Sequence, residues 1–192
     1  MTPMKAFCAA LALLATFVLV PIGRAHELMD NRATLVLRDR THLSLTMYLR
    51  YTEAVHKALA PGTSYWEFLT AVSALSPPDL EKQMRRAHEA LQAGTRVYLD
   101  GMQPSAFSNW AWPEPATAQR LFQQRLMEAT VGGGPHHHEE PIEVRADVIS
   151  TSDVRGVNVE FSKALGKVLL VWYRPRQSWV DAGKKSASIK FD

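Results

Sequence analysis

The only cysteine of the chain, Cys8, falls inside the apolar run Ala6–Val20, and that placement constrains the fold more than any motif does. Lys5 precedes the run, and Pro21 and Gly23-Arg24-Ala25 follow it. Basic, apolar and small-residue regions in that order predict a secretory signal peptide, residues 1–25, cleaved after Ala25. An apolar run of about fifteen residues is short of the roughly twenty that a spanning helix needs. Removing residues 1–25 from the 192 leaves 167 with no cysteine. Such an exported chain must fold without a disulfide, on its apolar core alone, and this length suffices for one domain. Lys5 and Arg24 leave with the segment and no acid does, so 22 basic residues against 19 acidic become 20 against 19. That balance makes no electrostatic case for nucleic acid or anionic lipid. The expectation is a periplasmic chain with no stable membrane insertion after cleavage.

Within residues 26–192 the apolar period alternates between two and 3.6. In "ATLVLRDRTHLSLTMYLRY", Leu35 and Leu37 share one face, as do Leu43, Leu45, Met47 and Leu49. This predicts a hairpin turning near Asp39-Arg40. The period then changes. Ser64 and Glu67 have the spacing of a capping box ahead of Tyr65, Phe68, Leu69, Val72 and Leu75. Ser76 and Pro77 open another helix with the stripe Leu80, Met84, Ala87 and Leu91, and Gly94 ends it. "TRVYLDGMQPSAFSNWAWP" returns to strand, with Asp100-Gly101 as its turn, and a further helix enters at Pro115 and ends near Gly132. Ile142, Val144, Ala146 and Val148 alternate again, as do Val157, Val159 and Phe161. "KVLLVWY" reads as a central strand covered on both faces, and Ala187, Ile189 and Phe191 as a short last strand. The predicted class is α+β: one β-rich domain over residues 26–192, an antiparallel β-sandwich with inserted helices, the main insert spanning 52–93.

No nucleophile elbow, phosphate loop, dinucleotide fingerprint or paired-histidine zinc motif occurs. What the sequence offers is histidine. Cleavage after Ala25 would make His26 the new terminus, with an α-amine and a ring nitrogen able to chelate one ion. Such nitrogens suit Cu(II), Zn(II) and Ni(II). The second group lies in "VGGGPHHHEEP", where His136, His137, His138 and Glu139 follow three glycines. Neighbours in extended chain point alternately, so His136 and His138 can share a side while His137 faces away. The loop therefore needs a ligand from elsewhere, and His26 is the candidate. A solvated loop that holds metal only weakly is the bland alternative. His42, His56 and His88 read as surface or structural histidines, Met47 as core rather than a soft ligand beside Met29, and Trp110 and Trp112 as packed aromatics rather than a carbohydrate platform.

An exported β-sandwich whose mature chain begins with histidine resembles the small periplasmic copper carriers of the CopC type. More distantly, it is similar to copper monooxygenases that use an N-terminal histidine brace. The resemblance rests on His26 and the fold class. The helical insert 52–93 departs from the compact carrier pattern, and the chain lacks the disulfides usual in the monooxygenases and an obvious second brace histidine. It implies a periplasmic metal-handling protein using His26, His136, His137, His138 and Glu139, with copper the first candidate. Two alternatives stand beside it. One is an accessory or interaction domain for a periplasmic or inner-membrane partner, with no metal role; the other is a copper-dependent redox enzyme.

Overall fold

The alternation of residues 33–49 forms the predicted hairpin. The structure is a computed structural model describing residues 31–131, 140–176 and 182. In it β1 (Asn31–Arg38) and β2 (His42–Leu49) pair antiparallel from Arg32↔Tyr48 to Arg38↔His42. Leu43, Leu45, Met47 and Leu49 are buried, and the polar residues between them take the other face. The turn places both Asp39 and Arg40 at positive φ, 45° and 61°. That region costs a residue with a side chain about 1–2 kcal/mol.

After β2 the chain coils into α1 (Tyr51–Leu59), α2 (Tyr65–Ser73) and α3 (Pro77–Ala93). The capping box at α2 is complete: the Ser64 hydroxyl accepts from the Glu67 amide and the Glu67 carboxylate accepts from the Ser64 amide. The Ser64 hydroxyl also donates to the Glu67 carboxylate at 2.9 Å, and this bond first, with the Ser64 amide second, holds the Glu67 carboxyl below its usual pKa. α3 starts as read, with Ser76 accepting from the Asp79 amide and proline in the first turn, and buries Leu80, Met84, Ala87 and Leu91. It ends at Gly94, but not by the left-handed route that glycine usually serves there, since φ is −85°. A β-carbon on Gly94 would instead lie 2.8 Å from Ser162 Cβ. The glycine answers a close approach.

β3 (Arg96–Leu99) pairs with β4 (Ser105–Ala106) and with β7 (Val157–Glu160) in a three-stranded sheet. β5 (Ser108–Ala111) leaves that sheet and joins β6 (Ile142–Ile149) across a register shift, with Asn109 at φ 52°. Between β5 and β6 lies α4 (Pro115–Thr130). The larger sheet has the order β5-β6-β2-β1-β8, with β8 spanning Val168–Tyr173.

Two expectations about β8 are corrected. It runs parallel to β1, from Asn31↔Val168 to Val36↔Tyr173, so the sheet is not wholly antiparallel. It is also an edge strand of its sheet among the described residues, and Leu169, Val171 and Trp172 are exposed. β2 already occupies one side of β1, so a strand returning from β7 past the 3-10 turn Lys163–Leu165 can pair only along the other. The last strand expected around Ala187–Phe191 lies outside the described residues.

Two apolar clusters organise the described chain. One joins Leu35, Leu45 and Val144 of the larger sheet to Val97 and Leu99 of β3. The other is helical and gathers Tyr51, Phe68, Leu69, Met84 and Phe122. Trp112 packs against both. Among the described residues no helix is long and apolar enough to cross a membrane.

Candidate functional site

β1 and β6 both run antiparallel to β2 and flank it on opposite sides. Their first residues therefore share one end of the sheet, where Arg32 and Glu143 both stand opposite Tyr48 and Ile142 stands opposite Leu49. Two interstrand spacings put the strand starts about 10 Å apart. Asn31 anchors the start of β1: its side-chain oxygen accepts from the Arg50 amide at 2.8 Å, and its side-chain nitrogen donates to the Leu165 carbonyl at 2.6 Å. Nearby, the Arg32 guanidinium lies 4.5 Å over the Tyr48 ring, and Arg145 pairs with Glu143.

His26, His136, His137, His138 and Glu139 lie outside the described residues. Their points of attachment do not. His26 stands five positions before Asn31, and residues 136–139 stand three to six positions before Ile142. Both segments therefore join the sheet at its shared end, on either side of β2.

The described histidines are placed elsewhere, and no group of three or more potential ligands gathers among the described residues. His56 Nε2 lies 3.0 Å from the Thr63 carbonyl, and the ring packs on Phe68. His42 Nε2 lies 3.5 Å from Asp147 Oδ2. Ser108 is also close to that carboxylate, but its hydroxyl donates to Asp147 rather than to the imidazole. A serine nucleophile needs its proton held by the base, so this grouping activates nothing. Its role is to pin β5 to β6, with Asn109 adding a second bond to Asp147 at 2.9 Å.

His88 is the most perturbed titratable group described. Its Nε2 lies 2.8 Å from the buried Tyr51 hydroxyl, and its ring stacks on Trp112. Burial pushes its pKa down to about 4. Trp110 also lies near-parallel to Trp112, with centroids 5.4 Å apart and planes 10° from parallel. The sequence signal for this column was available: His88 sits four positions after Met84 and three before Leu91, on the edge of the buried stripe of α3. Its link to Trp112 was not, because Trp112, one residue past β5, meets α3 only in the folded chain. No protein-family model, curated protein or solved structure matches this chain.

Proposed function

We propose that the chain is a periplasmic metal-handling protein in which His26 and the loop 136–139 share one divalent transition-metal ion. The observation that supports this reading is the common end of the sheet at which β1 and β6 begin. An extended chain covers about 3.4 Å per residue, so five residues reach about 17 Å and three to six reach about 10–20 Å. Together the two spans exceed the strand separation of about 10 Å. The amine and imidazole of His26 with His136 and His138 give a nitrogen-rich set, with Glu139 as an oxygen donor. This set suits Cu(II) first, and Zn(II) or Ni(II) as alternatives. In this reading residues 1–25 are removed, because the amine of His26 must be free. The two sheets are taken as the faces of one β-sandwich, since Val97 and Leu99 share a buried cluster with Leu35 and Val144.

The test is a double-mutant cycle on Cu(II) affinity. His26→Ala and the pair His136→Ala with His138→Ala should each weaken binding at least tenfold, and combining them should add little, because either loss breaks the same shell. Additive losses would mean separate weak sites. A second reading, an interaction domain with no metal role, is favoured by the exposed Leu169, Val171 and Tyr173 of β8.

A further inference from the structure

At the other end of the larger sheet a cleft of about 810 Å³ opens between the β1–β2 hairpin, β8 and the segment leading into β7. Its floor is Leu35, Leu37 and Leu43, and its walls include Val157, Val159 and Leu170. Trp172 stands at the mouth with 73% of its surface exposed. The rim is basic, with Arg40, Arg155 and Arg174 against one acid, Asp153. Arg40 and Asp153 pair at 3.3 Å. Among the described residues, Arg155 and Arg174 have no acidic partner. The rim is also built rather than loose. Asp100 Oδ1 accepts from the amides of Arg155 and Gly156 at 2.9 and 2.6 Å, and the Val154 amide donates to the Arg40 carbonyl at 2.8 Å.

A concave apolar floor beside two guanidinium groups that make no ion pair among the described residues calls for a ligand with an apolar body and an anionic end. We propose that this cleft binds a free long-chain carboxylate, its tail on the leucine floor and its head at Arg155 and Arg174. The volume falls in the range of about 300–1,000 Å³ usual for small-molecule sites, and guanidinium groups hold carboxylates through paired hydrogen bonds. The proposal is independent of the metal reading, because the cleft and the strand starts lie at opposite ends of the sheet.

The test titrates the purified chain with decanoate, dodecanoate and tetradecanoate below their micelle concentrations, and with dodecanol and dodecyltrimethylammonium. Affinity should rise about tenfold for each two methylenes, and dodecanoate should bind better than the alcohol or the cation. Arg155→Ala with Arg174→Ala should weaken dodecanoate about tenfold and leave dodecanol unchanged. Leu37→Asp should weaken both. Any one of four results would overturn the proposal: affinity independent of chain length, equal binding of the cation, insensitivity to the arginine changes, or binding to anionic vesicles without uptake of free carboxylate. Binding that appears only after residues 177–192 are deleted would also overturn it, by making the chain's own terminus the occupant.

Discussion

His88 lies flat on Trp112, with ring centroids 4.3 Å apart and planes 6° from parallel. The contact joins α3 to the residue that follows β5, and the imidazole is neutral at neutral pH because burial holds its pKa at about 4 against an ordinary 6.5. The unfolded chain therefore takes up a proton that the folded chain refuses. Stability from this group is whole above about pH 6.5 and is lost as pH falls toward 4.

The expected loss is on the order of 1–2 kcal/mol after allowing for solvent screening at a half-buried ring. Urea midpoints at pH 7 and pH 4.5 measure it. His88→Phe should retain the stacking and shrink the difference between the two midpoints. An unchanged difference would place the acid sensitivity on other groups.

Gly94→Ala should destabilise the chain by about 1–3 kcal/mol through overpacking. The new β-carbon would meet Ser162 Cβ and Oγ at 2.8 Å and its Cα at 3.0 Å. Ser162 is 8% exposed and has little room to retreat. Adding Ser162→Gly should recover part of the loss, since it removes the two nearest atoms. Full stability of the single alanine variant in thermal unfolding would show that α3 and Ser162 can separate freely.

Ser64→Ala removes the acceptor for the Glu67 amide and should cost about 1 kcal/mol. The Glu67 carboxyl, held low by its bonds to Ser64, stabilises the cap above its unfolded pKa and loses that contribution as pH falls through its folded pKa. The destabilisation caused by Ser64→Ala should therefore be larger at pH 7 than at pH 3 in denaturant titrations.

The parts of this fold legible in the sequence are those set by neighbours along the chain. The alternation of Leu43, Leu45, Met47 and Leu49 and the spacing of Ser64 and Glu67 each carry a local physical rule, and both elements form where that rule puts them. The run Val168–Tyr173 carries no period, so nothing local distinguishes a covered central strand from the outer parallel strand that it forms. Gly94 shows the same limit: its position at the end of α3 was legible, but the reason for glycine lies 68 positions later, at Ser162. The rim of the cleft is assembled from Arg40, Arg155 and Arg174, residues that no sequence window contains together. For the proposed metal site the sequence supplied the candidate ligand types, and the sheet order adds that the strands following their two segments begin at one end of the sheet.

The most direct measurement for the shared metal site is Cu(II) binding by protein that begins at His26, compared with protein carrying one extra residue ahead of it. The extension displaces the α-amine from the ring while leaving every side chain in place. The shared site predicts that the native terminus binds more tightly by at least tenfold, and that this advantage fades as pH falls through about 6.5, where imidazole gains its proton. Equal binding by the two proteins, lost only when His136–His138 are deleted, would contradict it and leave the loop a weak scavenger of metal.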